Sequence, residues 1–519
     1  MHDPHLFRIF EFNRCFIDGQ FPCRWASDSG KGYGEPLFNF YAQAPYWFTQ
    51  KFIILGFSIL DSAKIAYILS LVLSGFSMYL YARKLWGNRG GLISALFYVY
   101  APYRAVDVWV RGALPEALAF IVYPLTLLFI DLYLESHKKI FLLAFSLSLF
   151  FLINIHNLSF LMFVPFLGIY WFVKSWHTRS IKSVWAFLTA GLFAVSLSAF
   201  YLLPVIFESS LVTLGETVKG YYDYHIHFTT LRELFITRFW GYGASLWQKK
   251  YLSVSIGQLH WLIPVLLSLI IVFRKNINRI TVYCLLFTGL GFFALFLTHG
   301  KSSLIWDLIP PMKFIQFPWR FLTIAVFFIS LASGYVGNFL QNKKYLNLLI
   351  TLVILINFPF FRPDIWRNHT DAQTFSGSLW DEARSSSLTD FWPNSSPEPP
   401  SDFAFYGIKI VSGGNAWIIS QNKKSNSAQF EIFSESDSII AIPIVYFPGW
   451  KISVNGIDTE VIPAGKLGLI SFSVSPGHHY IQARFINTRV RTVGNMISLL
   501  ALFSIPLWFL KKRQSLSYR

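Results

Sequence analysis

Residues 184–206 read VWAFLTAGLFAVSLSAFYLLPVI, an apolar stretch with no charged side chain. A helix that crosses the hydrocarbon core needs roughly 20 such residues, because lipid offers no partner to an open backbone. Comparable stretches fall near 62–82, 91–102 (short), 115–134, 140–154, 157–173, 256–273, 280–298, 319–340, 345–361 and 492–510. The criterion therefore gives about eleven spans, separated by breaks that carry Pro, Gly or charge. Composition agrees. Of 519 residues, 54% are hydrophobic, 19% aromatic and only 14% charged, where soluble domains run near ~25% charged. The fold class predicted is a polytopic α-helical membrane protein.

The net charge of +17 would suit a nucleic-acid binder if it were clustered on one folded surface. It is not. Basic residues gather in short loops on one side of the alternating spans: Arg83, Lys84, Arg89; Lys138, Lys139; Lys174, Arg179, Lys182; Arg274, Lys275, Arg279; Lys343, Lys344; Lys511, Lys512, Arg513 and Arg519. Glu135 is the one acid among them. By the positive-inside rule that face is cytoplasmic, the C-terminus with it, and nucleic acid is excluded as a partner. The longer polar stretches 1–61, 103–114, 207–255, 299–318 and 362–490 then lie outside, where any chemistry belongs. A free outer tail carrying Arg8, Arg14, Arg24, Lys31 and Lys51 is awkward to export. One transmembrane helix upstream of Met1 is therefore expected.

Five regions follow from this pattern. Residues 1–61 form an outer first loop with interfacial helices, one over 2–17 and one within 46–60. Residues 62–361 are the transmembrane helical domain. Residues 362–402, ending in PNSSPEPPSD, read as a linker. From 403 to 490 the period changes to two, with turns at Gly413-Gly414, Asn455-Gly456 and Pro476-Gly477. Six to eight short strands predict a small sandwich-like all-β domain outside the membrane. Residues 491–519 supply the final span and a basic tail. Three cysteines exclude a disulfide scaffold; Cys15 and Cys23 share the oxidising side and can pair, while Cys284 sits inside a span.

A few polar residues stand out on the outer face, each with two readings. Asp3, before Pro4, is either a general base for an acceptor hydroxyl or the N-cap of a surface helix. Glu116, in WVRGALPEALAF, is a functional carboxylate or metal ligand, or a first-turn acid complementing a helix dipole. Arg104, Asp107 and Arg111 crowd the same loop and can pair with one another. His156 in FLINIHNLSFL can bind phosphate or shuttle a proton, or cap a turn. Arg320 in KFIQFPWRFL presents a fork that fits phosphate oxygens, or snorkels. The loop ITRFWGYGASLW, with Arg238, Trp240 and Tyr242, can stack on a sugar or rest at the interface. No zinc-ligand pattern, phosphate-cradling glycine loop or hydrolase nucleophile motif occurs in its expected setting.

The stretches HDPHLFRIFEFNRCFIDGQFPCRWASDSGKGYGEPLFNFYAQAPYWF, RGALPEALAF, IQFPWRFL, FPGWKISVNG and LGLISFSV resemble a family of bacterial multispanning proteins labelled 6-pyruvoyl-tetrahydropterin synthase-related. The three-histidine zinc site of pterin synthases has no counterpart here. The wider layout resembles the GT-C membrane glycosyltransferases. That resemblance implies an enzyme of the bacterial cytoplasmic (inner) membrane, transferring sugar from a polyprenyl-phosphate-linked donor to a glycan or lipid acceptor on the extracytoplasmic face. It implies that Asp3 and Glu116 are the two catalytic acids. Arg320 would serve the lipid phosphate, with His156, Arg111 and Arg104 beside it, and Glu116 would orient the acceptor or hold a divalent cation. The rival readings are a non-enzymatic lipid or polysaccharide transporter and a structural membrane protein of the cell envelope; no internal repeat of the transporter type is present.

The orientation is testable with fusions. A green fluorescent reporter placed after residue 512 should fluoresce, and an alkaline phosphatase placed after residue 400 should be active. The reverse pattern at both sites contradicts the charge argument.

Overall fold

The computed structural model describes residues 4–178, 181–243, 245–246, 249–250, 252–275, 277–363, 368–385 and 391–510. They divide into two compact units, one within 1–63, 195–217 and 368–519, the other within 64–194 and 218–367. Among the described residues six helices are long and apolar enough to cross a membrane, or seven if the pair Ser183–Leu197 and Ala199–Phe207, bent at Ser198, is one span. All eleven segments expected to span are helical. Lys139–Ile155 and Gln258–Phe273 are apolar but shorter. The segments near 62–82 and 91–102 belong to one run, Ile59–Val99, interrupted at Gly87 by a positive φ of 72°. Its 41 residues would reach ~60 Å as one straight helix, about twice the hydrocarbon thickness, so the break at Gly87 is what lets the run fold back.

In the second unit the helix Pro318–Asn338 is the hub, with nearly all of its residues buried. It approaches the run Ile59–Val99 through glycines. A Cβ on Gly334 would stand 2.8 Å from the Gly90 carbonyl, and one on Gly337 2.6 Å from the Gly90 nitrogen. Small residues let helix backbones meet where apolar lipid provides no hydrophobic drive. Lys174, read as a loop charge, is buried and paired instead: its Nζ lies 2.9 Å from Asp131, which also accepts from Tyr170 at 2.6 Å.

The first unit is built on a sandwich of nine strands: β1 Lys409–Gly413, β2 Ala416–Lys423, β3 Ser427–Ser434, β4 Ser438–Val445, β5 Trp450–Val454, β6 Ile457–Thr459, β7 Ile462–Ala464, β8 Leu469–Val474 and β9 Gly477–Phe485. Two antiparallel sheets, ordered β1-β4-β8-β7 and β2-β3-β9-β5-β6, enclose a core that includes Phe430, Ile432, Ile442, Phe472 and Ile481. The period of two is plain in β3, where Ala428, Phe430 and Ile432 point inward. Asn455 and Gly456, both at positive φ, make the tight turn between β5 and β6. Residues 362–402, read as a linker, hold two short helices, Asp371–Thr374 and Gly377–Ser385; Trp380 of the second packs on Phe7 and Phe10.

Helix Pro4–Ile17 and the loop after it belong to this unit, tied by a Cys15–Cys23 disulfide. The indole of Trp25 lies against Trp450 and Phe485, at 5.4 and 5.1 Å between ring centres. Gly34, at φ 80°, leaves room for that indole; a Cβ there would meet it at 2.4 Å. Below it sits a buried polar network. Glu208 accepts from Asn39 at 2.8 Å, from Arg491 at 2.9 Å and from Thr488. Arg24 donates to Asn39 at 3.1 Å, to Asn495 at 2.9 Å and to the Phe200 carbonyl at 3.0 Å. The network joins the first loop, helix Ala199–Phe207 and helix Arg489–Leu510.

Removing one partner of a buried ion pair costs about 3–5 kcal/mol. Glu208→Ala should therefore lower the unfolding midpoint in detergent by several degrees, and Glu208→Gln, which keeps the hydrogen bonds to Asn39 and Thr488, by less. Equal midpoints for wild type and Glu208→Ala would show the network to be idle.

Candidate active site

Glu116 stands in the first turn of helix Leu114–Ser136, just after Pro115 fixes the helix start. The chain reaches it through a helical turn, Pro102–Ala105, and a wider π-type turn, Val106–Val110, that ends at Gly112 with φ 57°. The outer loop expected at 103–114 is thus folded inward, with Arg104 and Asp107 buried and Arg111 partly so. Wide turns of this kind recur at functional sites.

Arg111 is the centre of the arrangement. Its Nη1 lies 2.7 Å from Glu116 Oε2 and 2.8 Å from Asp107 Oδ1. It also donates to the Tyr103 hydroxyl at 3.0 Å, and Tyr103 donates onward to Glu116 Oε1 at 2.7 Å. The flat face of the guanidinium rests on Trp319, 4.6 Å from the ring centre. Arg104 is wholly enclosed. It lies 3.9 Å from Asp107, stacks on Phe120 and donates to Ser74 at 3.3 Å. The pairing open in the sequence is therefore present, and it draws Glu116 in.

Arg320 and His156 complete the cluster. Arg320 lies within electrostatic reach of Glu116 and Asp107, and His156, neutral itself, within reach of Glu116, Arg320 and Arg111. Arg320 follows a strained turn: Gln316 has φ 65° and ψ −46°, and the Phe317 amide donates to the Ile315 carbonyl at 2.7 Å across it. A three-residue turn with positive φ is rare for a residue with a side chain, and such strain gathers at functional sites. Arg320 Nη1 closes the turn, donating to Ile315 O at 2.6 Å and to Gln316 Oε1 at 3.1 Å. His156 sits between two helices in extended conformation, with its Nδ1 2.7 Å from Ser159 Oγ.

Three guanidinium groups face two carboxylates here. Burial and then Glu116 push the Asp107 carboxyl well above its usual range, against the pull of Arg111 and Arg104. Positive charge is thus in excess by at least one, in surroundings that screen it poorly. The arrangement can receive an anion. It does not fit a divalent cation: the Glu116 carboxylate is held by a guanidinium, and among the described residues no group of three His, Cys, Asp or Glu is placed to hold a metal ion.

Of the residues singled out in the sequence, Glu116, Arg111, Arg104, His156 and Arg320 come together. Asp3 lies outside the described residues. Arg238 and Trp240 form a separate packing with helix Lys343–Asn357 and the turn after it: Arg238 donates to the Ile356 carbonyl, and Trp240 meets Phe360 edge to face. Tyr103 and the orienting role of Trp319 were not legible. Each is one aromatic among 97 Phe, Trp and Tyr, and only the fold shows which of them face charge.

Residues 43–202 match the family model described as dolichyl-phosphate-mannose-protein mannosyltransferase. The matched stretch contains Arg104, Arg111, Glu116 and His156. The match supports the GT-C part of the resemblance and a multi-pass membrane protein; it lends nothing to the pterin-synthase-related label. No curated protein matches the chain at a significant level.

Burial holds the His156 pKa down to about 3, with Arg320 and Arg111 adding to the effect and Glu116 opposing it. The unfolded chain binds a proton near pH 6.5 that the folded chain refuses, so stability should fall as pH drops below that point. By linkage the loss reaches about 2 kcal/mol at pH ~5. Unfolding followed at pH 7 and pH 5 should show this loss in wild type and a smaller one in His156→Gln. An identical pH dependence in both would contradict a buried neutral imidazole.

Proposed function

We propose that the chain is a membrane glycosyltransferase that takes sugar from a polyprenyl-phosphate-linked donor and acts on the extracytoplasmic face. The observation that carries this reading is the excess of guanidinium over carboxylate around Glu116, with Arg104, Asp107, Arg111, Glu116 and His156 inside the stretch that matches the mannosyltransferase model.

The chemistry follows from the donor. As the bond between the sugar C1 and the phosphate oxygen breaks, the lipid phosphate leaves with an added negative charge. Preorganised donors in a dry site stabilise such charge most effectively. Arg320 and Arg111 are those donors, and neutral His156 adds a further hydrogen-bonding group. Asp3 takes the proton of the acceptor hydroxyl as its oxygen attacks C1, in a single displacement with inversion. Glu116, fixed by Arg111 and Tyr103, orients the acceptor. Arg104 holds Asp107 and so keeps the Arg111 clamp in place.

Removing one oxyanion donor typically lowers the rate by roughly 10²–10³. Purified protein supplied with radiolabelled polyprenyl-phosphate mannose and a crude extract of membrane glycans and lipids should label an acceptor. Arg320→Ala should reduce that labelling by about this factor, with Arg320→Lys in between. Labelling unchanged in Arg320→Ala would favour the transporter or structural reading.

A further inference from the structure

The segment 220–228 (GYYDYHIHF) was assigned no role above, yet it is wired to the cluster by a directional chain of hydrogen bonds. The Trp319 Nε1–H donates to Ser245 Oγ at 2.9 Å, and Ser245 Oγ lies 2.8 Å from His227 Nδ1. The other ring nitrogen, Nε2, meets the Tyr221 carbonyl, which can only accept. Nε2 therefore carries the proton, Nδ1 accepts from the Ser245 hydroxyl, and the chain runs one way from indole to backbone. Trp319 is the ring on which Arg111 rests. The position of Tyr221 is thus fixed relative to the guanidinium that holds Glu116.

Aromatic contacts follow the same path. Trp319 stacks on Phe317 at 5.0 Å and 25°, Phe317 carries the Arg320 guanidinium at 4.9 Å, and Tyr221 meets Phe317 at 6.0 Å with Tyr222 beside it at 6.2 Å. Phe317 and Trp319 are buried, whereas Tyr221 keeps 46% of its surface exposed. The wall thus runs from two partly buried cations to an accessible ring, all within one unit. A ring face is electron-rich, and the C–H face of a pyranose is apolar with positive hydrogens, so the two stack. A neutral sugar bonded to a phosphate has the matching polarity: anion at the guanidinium end, C–H face at the aromatic end.

We infer that Tyr221, backed by Phe317 and Tyr222, is the stacking platform for the sugar ring of a lipid-phosphate-linked donor whose phosphate sits at Arg320 and Arg111. This rests on the function proposed above and names the part of the site that reads the sugar rather than the lipid.

Binding tests the two levels separately, using purified full chain, polyprenyl-phosphate mannose, and the same polyprenyl phosphate without sugar. Tyr221→Ala and Tyr221→Leu should each weaken binding of the mannosylated probe by about five- to tenfold, leave the bare phosphate unchanged, and Tyr221→Phe should bind as wild type. The hydrogen bond from His227 goes to the Tyr221 backbone, so it survives each substitution. Equal weakening of both probes, or of neither, overturns the platform while leaving the proposed function intact. Failure of wild type to bind either probe overturns both.

Discussion

Arg111 holds two carboxylates at once, and the local fold of the second unit is arranged so that it can. A charge placed in surroundings of low polarity is expensive unless paired and hydrogen-bonded. Asp107 reaches Arg111 because a wide turn places it four residues earlier, Glu116 because Gly112 bends the chain back, and Tyr103 links the guanidinium to Glu116 by accepting from the first and donating to the second. Each contact depends on the others. Loss of Arg111 would leave two acids facing one another beside Arg104 and Arg320, which is why the guanidinium, more than any single acid, defines the site.

The pairing does not exhaust the positive charge. Arg104 is sealed by Phe120 and Ser74 and keeps Asp107 in place, while Arg320 leads the most enclosed helix of its unit after a strained turn at Gln316. Strain of this kind persists where the surrounding packing over-determines it. Here it holds a cation within electrostatic reach of Glu116. The first unit follows the same logic at a different place: Glu208 is buried with Arg491, and Asn39 and Arg24 extend the network between three parts of the chain far apart in sequence.

Legibility differed between levels for physical reasons. Helices were visible because a span must be continuously apolar, and the β-sandwich because its inward residues alternate, as in β3 and β9. Boundaries were less so: Gly87 alone separates two expected segments of one run, and the Ser/Pro-rich 362–402 folds where Trp380 finds Phe7 and Phe10. Glu116 and Arg320 stood out because charge amid apolar sequence is costly and needs a reason. Tyr103, His227 and Ser245 gave no such signal, since a tyrosine, histidine or serine in a polar loop is ordinary until the fold supplies its partner. Lys174 misled for the opposite reason, because its partner Asp131 lies inside a span rather than in a loop.

The central claim is that a lipid phosphate sits where Arg111 and Arg320 converge on Glu116. Photo-crosslinking with a polyprenyl phosphate bearing a diazirine on the first isoprene unit, mapped by peptide mass spectrometry, addresses it directly. The account predicts adducts concentrated in peptides covering residues 102–116 and 315–323, suppressed by unlabelled polyprenyl phosphate. Adducts spread over the outer surfaces of the spans, indifferent to competitor and missing from those two peptides, would contradict it.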